Sequence, residues 1–328
     1  MKVVIPGGTG QVGTLLARAF HDAGHHVVVL TRTPRPAPWQ QVAWDSATIG
    51  PWVTELEHAD VVINLAGRSV NCRYTPKNRK LIYESRIRST QVIGKAIART
   101  THPPPVWLQA STATIYAHRY DADNDEQTGI IGGAEADVPA TWRFSVDVAM
   151  AWERAAQAIT LPDTRVVLLR SAMIMSPDRG GIFDVLLGLV RVGLGGPVGG
   201  GQQYVSWIHD QDFIRAILWL LDHDELAGPV NLAAPVPLPQ AEFMRILRSA
   251  WGMPLGLPAT KWMVEIGALA LGTETELILK SRRVTPSRLL QSGFSFQFPT
   301  WAAAAHNLCQ RWRVLHQATA DHSTEQQD

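Results

Sequence analysis

The chain has 328 residues, 46% of them hydrophobic and 18% charged, and its 30 Lys+Arg against 29 Asp+Glu leave a formal charge of +1. This length and composition describe a soluble globular protein of one large or two modest domains. The near-neutral balance, without a dense Lys/Arg run, argues against nucleic acid as a partner. Two isolated cysteines, Cys72 and Cys309, predict neither a zinc site nor a disulfide framework, and no run of about 20 apolar residues predicts a membrane span. Met1 leads straight into an apolar strand without a signal-peptide pattern, so the cytoplasm is the expected compartment.

The first predicted strand, residues 2–6, runs directly into GGTGQVG and then into a helix at 12–23. Gly7, Gly10 and Gly13 fall at three-residue spacing. Closely spaced glycines between a strand and a helix N-terminus let backbone N–H groups and the helix dipole approach a pyrophosphate. The second strand, 26–31, ends in Thr31 and Arg32, about twenty residues on, where the ribose of a dinucleotide is expected. A carboxylate at that position would accept the ribose diol of NAD. Arg32 instead offers charge-assisted hydrogen bonds to a 2′-phosphate, so NADP(H) is the expected cofactor. Arg35, among Pro34, Pro36 and Pro38, is a second candidate cation.

Further strands are predicted at 61–67 (VVINLAG), 106–111 (VWLQAS) and 165–175 (RVVLLRSAMIM), with helices at about 76–100 and 144–159 between them. The alternation predicts an α/β fold: a Rossmann, doubly wound parallel sheet whose ligand crevice lies at the carboxyl ends of its strands. Past residue 176 the character changes, with the glycine-rich GLVRVGLGGPVGGGQQ followed by YVSWIHDQDFIRAILWLLDH, PVNLAA and PLPQAEFMRILRSAW. We expect an NADP-binding domain over 1–175, to which 204–233 returns. A smaller C-terminal α/β substrate domain is expected over 176–316, and a polar tail over 317–328. In the second part Gln203, Trp207 and His209 are candidate substrate contacts, joined by Arg73 from the loop after the third strand. His209, before Asp210 and Asp212 at a strand–helix junction, reads either as a structural histidine locked by that cap or as a polar group facing substrate.

These motifs resemble the extended short-chain dehydrogenase/reductases, the NAD-dependent epimerase/dehydratase superfamily. GGTGQVG matches its fingerprint, INLAG its post-strand motif, and STATIYA its serine/threonine strand. SRIRSTQVI, RVVLLRSAMIM, GLGGPVGGGQQYVSWIHDQDF and RRVTPSRLLQSGFSFQFP resemble an epimerase-like subfamily that carries a C-terminal DUF1731-type segment. The resemblance spans about residues 1–305. It implies cofactor contacts at Gly7, Thr9, Gly10, Gln11, Val12, Gly13, Thr31, Arg32, Leu65, Ala66, Gly67, Arg86, Ser111 and Ile174. It also implies a substrate-orienting hydroxyl at Thr112, beside Ser111. The Tyr and Lys that move the proton in hydride-transferring members are missing: the helix WRFSVDVAMAWERAA has Phe144 or Ser145 at one position and Val148 or Ala149 at the other. Tyr116 is the remaining phenol near the crevice by sequence. Two functions therefore stand open: an NADP(H)-dependent, epimerase-like oxidoreductase acting on a small polar metabolite through Thr112 and Tyr116, or an inactive protein that senses NADPH. A homodimer is compatible with either.

Overall fold

The computed structural model describes residues 1–136, 138–260, 263 and 274–324. Its core is a seven-stranded, all-parallel sheet of β1 (Lys2–Pro6), β2 (His26–Thr31), β3 (Gln40–Ala43), β4 (Val61–Asn64), β5 (Val106–Thr112), β6 (Arg165–Ser171) and β10 (Gly228–Leu232), in the order β10-β6-β5-β4-β1-β2-β3. The strand order reverses at β1 and β4, which pair through Val3↔Val61 and Val4↔Val62. The carboxyl ends of these two strands therefore open the crevice that a doubly wound sheet offers a ligand. Near-continuous apolar runs such as VVIN in β4 suit strands covered on both faces.

On one face α1 (Gln11–Asp22) and α5 (Asp210–Asp222) press Leu16, Phe20, Ile217 and Leu220 against Val3, Ile5 and Val29. On the other, α2 (Pro76–Ile97) brings Ile93 and Ile97 onto Val4, Val28, Val62 and Trp107. Helix α2 starts at Pro76 because Thr75 caps it, its side chain accepting from the Asn78 N–H. Helix α3 (Ala140–Gln157) packs beside α2. The remaining elements are β7 (Met173–Met175), α4 (Ile182–Arg191), β8 (Tyr204–Val205), β9 (Trp207–His209), β11 (Leu238–Pro239), α6 (Gln240–Trp251), α7 (Glu276–Leu279), α8 (Ser287–Gln291) and α9 (Trp301–Thr324). A third core joins several of them, with Trp301 stacked on Phe243 at 4.0 Å and tilted against Trp207 at 5.0 Å.

Several elements differ from the sequence expectation. The 165–175 run is two strands: β6 lies in the main sheet, whereas β7 pairs with β9 through Ile174↔Ile208 in a separate ribbon. Edge strand β3 was not expected, because Gln40-Gln41-Val42-Ala43 is partly exposed and has no apolar run to announce it. Helix α3 begins at Ala140 rather than at 144. Helix α9 continues to Thr324, through most of the segment read as a polar tail, and residues 325–328 lie outside the described residues.

Candidate functional site

The glycine turn is built by contacts that only glycine permits. Gly7 has φ +75°, and a Cβ there would fall 2.6 Å from the Ala66 Cα; one at Gly13 would fall 2.4 Å from the Gly8 Cα. Gly7 therefore presses the turn against the loop after β4, where the Leu65 N–H donates to the Pro6 carbonyl. Gly13 lets α1 rest on the turn itself. Gly10 is different: a Cβ there would meet nothing within 4 Å, so the backbone faces an open cradle. It is also the N-cap of α1 and supplies no side-chain acceptor to the first helical N–H groups. The Gln11 Nε2 beside it is buried without a hydrogen-bond partner among the described residues, held against Gly181 of the loop before α4. Free backbone donors, a helix N-terminus and an orphaned amide donor fit a pyrophosphate.

A cavity of about 470 Å³ continues from this turn, lined by Thr9, Thr31, Arg32, Thr33, Arg35 and Trp39 among others. Both arginines are exposed and neither guanidinium has a partner among the described residues; the Trp39 indole N–H is likewise buried and unpaired. No carboxylate among the described residues lines this end. The donors suit a phosphate better than a ribose diol.

A second cavity, about 260 Å³, opens at the carboxyl end of β5. Ser111 and Thr112 form one side; Arg86 of α2 and Phe144, Ser145 and Trp152 of α3 line others, and Tyr74, Glu276 and Arg282 complete it. Ser111 donates to Glu153 Oε1 at 2.6 Å, and Glu153 holds Arg170 in a bidentate pair with both oxygens at 2.8 Å. This fixes the strand end from beneath. Thr112 caps the following turn, its Oγ1 accepting from the Thr114 N–H. The Arg86 guanidinium donates to the Arg68 and Ile82 carbonyls, lies over Trp152 at 5.0 Å, and packs against Gly67. Burial lowers its pKa to about 10, and it has no carboxylate partner among the described residues.

The last side of this cavity comes from the C-terminal segment, which sequence reasoning did not bring here. Glu276, 1% exposed, accepts from Ser145 Oγ at 2.5 Å, while no hydrogen-bond donor reaches its Oε1 among the described residues. The Lys280 Nζ lies 4.0 Å from Oε1. Burial raises the carboxyl above the ordinary glutamate range. Tyr74 OH lies 3.5 Å from Ser145 Oγ, and burial raises this phenol too. The segment is tied down on both lips of the crevice. Lys280 Nζ and Arg282 Nε donate to the carbonyl and hydroxyl of Thr114 at 2.8 and 3.0 Å, and Glu274 accepts from the Tyr74 N–H at 2.6 Å. The sequence signal for Glu276 is slight: one acid in the run ELIL.

Thus Gly7, Thr9, Gly10, Gln11, Gly13, Thr31, Arg32, Leu65 and Ala66 gather around the turn and its cavity, and Gly67 lies against Arg86. Ser111, Thr112 and Arg86 gather at the second cavity. Val12 lies in the first turn of α1 and Ile174 in β7, both partly buried. Other expected contacts lie elsewhere. Tyr116 is 2% exposed, and its OH donates to Asn231 Oδ1 at 3.0 Å while accepting from Arg170 at 2.9 Å; burial raises its pKa, and it lines neither cavity. Trp207 is wholly buried in the third core and lines neither cavity. His209 is the locked histidine: Nδ1 accepts from the Gln211 N–H, Nε2 meets Asn307 Oδ1 at 3.1 Å, and the ring stacks on Phe298 at 3.9 Å. Gln203 is buried and donates to the Val198 and Ile278 carbonyls. Arg73 lies outside the cavity lining, 3.6 Å from Glu274.

Residues 3–233 match the NAD dependent epimerase/dehydratase family, and residues 259–308 match a domain of unknown function, DUF1731. The chain is 32% identical over 312 residues to the epimerase family protein SH2119 of Staphylococcus haemolyticus, covering 94% of this chain and 98% of that one. It is 32% identical over 311 residues to the epimerase family protein SDR39U1 of Bos taurus, covering 93% and 98%. Its fold is similar to the crystal structure of human epimerase family protein SDR39U1 (isoform 2) with NADPH: the TM-score is 0.82 at 28% identity, over 94% of this chain and 99% of the other. No helix among the described residues is long and apolar enough to cross a membrane.

Proposed function

The chain belongs to the NAD dependent epimerase/dehydratase family, and on that premise we propose that it is an NADP(H)-dependent, epimerase-like oxidoreductase acting on a small polar metabolite. The observation that carries the reading is the pairing of two cavities at the carboxyl edge of one sheet. One is phosphate-suited, with Arg32 and Arg35 and no carboxylate among the described residues; the other is compact, largely apolar with a few polar groups, and lies beside Thr112. The NADPH in the related human crystal structure supports the same cofactor. Gly10, Gln11 and the start of α1 would hold the pyrophosphate, Thr31, Arg32 and Arg35 the 2′-phosphate, and Leu65, Ala66, Gly67, Arg86 and Ile174 the remainder. When bound, the cofactor supplies hydride chemistry.

The chain's own residues orient the substrate and shield it from water. Thr112 presents a hydroxyl at the strand end, Val148 and Trp152 give an apolar wall, and the C-terminal segment covers the space. At about 260 Å³ the cavity lies below the usual range for drug-sized ligands, roughly 300–1,000 Å³, which favours a metabolite of a few carbons over a nucleotide sugar. The deciding experiment titrates NADPH and NADH by fluorescence, then follows NADPH oxidation and NADP⁺ reduction over small carbonyl and alcohol compounds. Selective NADPH binding with turnover is expected; equal weak binding of both nucleotides, or no turnover on any compound, refutes it. One observation favours a second reading, a non-catalytic NADPH sensor: α3 carries neither the Tyr nor the Lys of the reductases. That reading expects binding without turnover.

A further inference from the structure

The C-terminal segment enters the second cavity at the place where α3 lacks its phenol. Ser145, one of the two residues at that helix position, spends its hydroxyl hydrogen on Glu276. A serine hydroxyl has one hydrogen to give, so its lone pairs remain for the Tyr74 OH at 3.5 Å. Glu276 lines the cavity, its Oε1 has no donor among the described residues, and the Lys280 and Arg282 side chains of its segment are pinned to Thr114, two residues beyond Thr112. A buried carboxylate oxygen without a partner is costly unless a ligand completes it.

From this geometry we infer that Glu276 is the proton carrier of the site: its Oε1 takes the proton from the hydroxyl of a small alcohol substrate, whose carbon-bound hydride would pass to the nicotinamide of NADP⁺, or returns it to the oxygen of the carbonyl in the reverse direction, while Ser145, beside Tyr74, holds the carboxyl in place. The DUF1731 segment thereby supplies what the Tyr-Lys pair supplies in other reductases. The inference rests on the NADP(H) reading above. The groups facing the carboxyl are Lys280, Arg282 and Glu274 on its own segment, Tyr74 from the loop after β4 and Ser145 on α3, with Arg86 of α2 and Thr112 across the cavity. Neither nearby tyrosine suits the task, because burial raises both phenols further from neutrality, whereas it raises the carboxyl towards it.

The test uses the full chain and proton linkage. NADP⁺ carries a positive nicotinamide ring and NADPH a neutral one, so a carboxyl beside that ring releases more proton on binding NADP⁺. Calorimetry in buffers of different ionisation enthalpy, from about pH 5 to about pH 8, gives the difference in proton release between the two nucleotides. Any contribution from the shared 2′-phosphate cancels in that difference. The wild type is expected to show a difference approaching one proton, Glu276→Gln to lose it, and Ser145→Ala to move its midpoint to higher pH by removing a donor to the charged form. On any compound the wild type turns over, Glu276→Gln is expected to lose about 100-fold or more in kcat with KM little changed. A full proton difference in Glu276→Gln, or equal kcat, overturns the inference alone. Failure of either nucleotide to bind, or a wild type that turns over nothing, overturns the oxidoreductase reading and the inference with it.

Discussion

Cofactor choice should respond to Arg32 and Arg35 in a way that can be worked out in advance. Both guanidiniums lie in the cavity past Thr31, exposed and without partners among the described residues, so replacing them breaks no ion pair in the apo protein. A hydrogen bond to a charged group contributes about 1.5–3 kcal/mol, and solvent exposure pulls the value towards the lower end. At about 1.4 kcal/mol per decade of affinity, Arg32→Ala should weaken NADPH roughly tenfold, and the double change with Arg35→Ala roughly 100-fold. NADH, lacking the 2′-phosphate, should move by less than about twofold on the same scale. The assay is a fluorescence titration of both nucleotides, repeated at higher salt, where the wild-type preference should shrink as exposed charges are screened. If NADH and NADPH weaken in parallel, the arginines act through the fold and the phosphate assignment fails.

Four further outcomes follow from the packing and from the buried carboxyl. Gly13→Ala, whose Cβ would lie 2.4 Å from the Gly8 Cα, should destabilise by about 1–3 kcal/mol in a thermal melt and abolish nucleotide binding. Gly10→Ala, with nothing within 4 Å, should melt normally and still bind NADPH poorly, and a normal affinity would remove the pyrophosphate from that cradle. Tyr116→Phe leaves Arg170 and Asn231 each short of a buried partner, so denaturant unfolding should show a loss of about 1–3 kcal/mol while NADPH affinity stays unchanged. A large fall in turnover at unchanged stability would restore Tyr116 to the chemistry. Glu276 has its folded pKa raised above 4.5, so its stabilising share is complete below that value and is lost as pH rises through the folded pKa. The Tm advantage of Glu276→Gln over wild type should therefore grow from about pH 4.5 upward; an advantage constant with pH contradicts the raised carboxyl.

How much of this was legible in the sequence depends on how locally each feature is encoded. The glycine turn is read from seven consecutive residues, because strand, turn and helix constrain one another over that short span. The central strands are legible for a related reason: burial on both faces demands unbroken apolar runs, and VVIN or VWLQ cannot be much else. Strand β3 escapes because an edge needs no such run. Trp207 and the substrate-facing reading of His209 mislead for the opposite reason. Their side chains look like ligand contacts, yet their partners are Trp301, Asn307 and Phe298, about a hundred residues later, and no local pattern announces that closure. Glu276 is the same case reversed, an unremarked acid that tertiary structure carries to Ser145, 131 residues earlier.

The missing Tyr-Lys pair therefore has less force than the α3 sequence alone gives it. A reductase needs a group that exchanges a proton near neutral pH at the substrate oxygen, and the residue type is secondary to position and pKa. In the Tyr-Lys arrangement a cation lowers a phenol towards neutrality; here burial raises a carboxyl from the other side, and Lys280 is itself lowered by burial to about 8. The two solutions differ in what the ground state tolerates. A buried carboxyl with one unsatisfied oxygen destabilises the empty protein, and the segment that carries it is accordingly bolted down by Lys280 and Arg282 on Thr114 and by Glu274 on Tyr74. A sensor that had merely lost its chemistry would gain nothing from anchoring an acid in a cavity of this size. Relaxation to an apolar residue at 276 would remove the desolvation cost. The acid, hydrogen-bonded to the serine at the helix position where the reductases carry a Tyr, is the structural argument for the enzyme reading over the sensor.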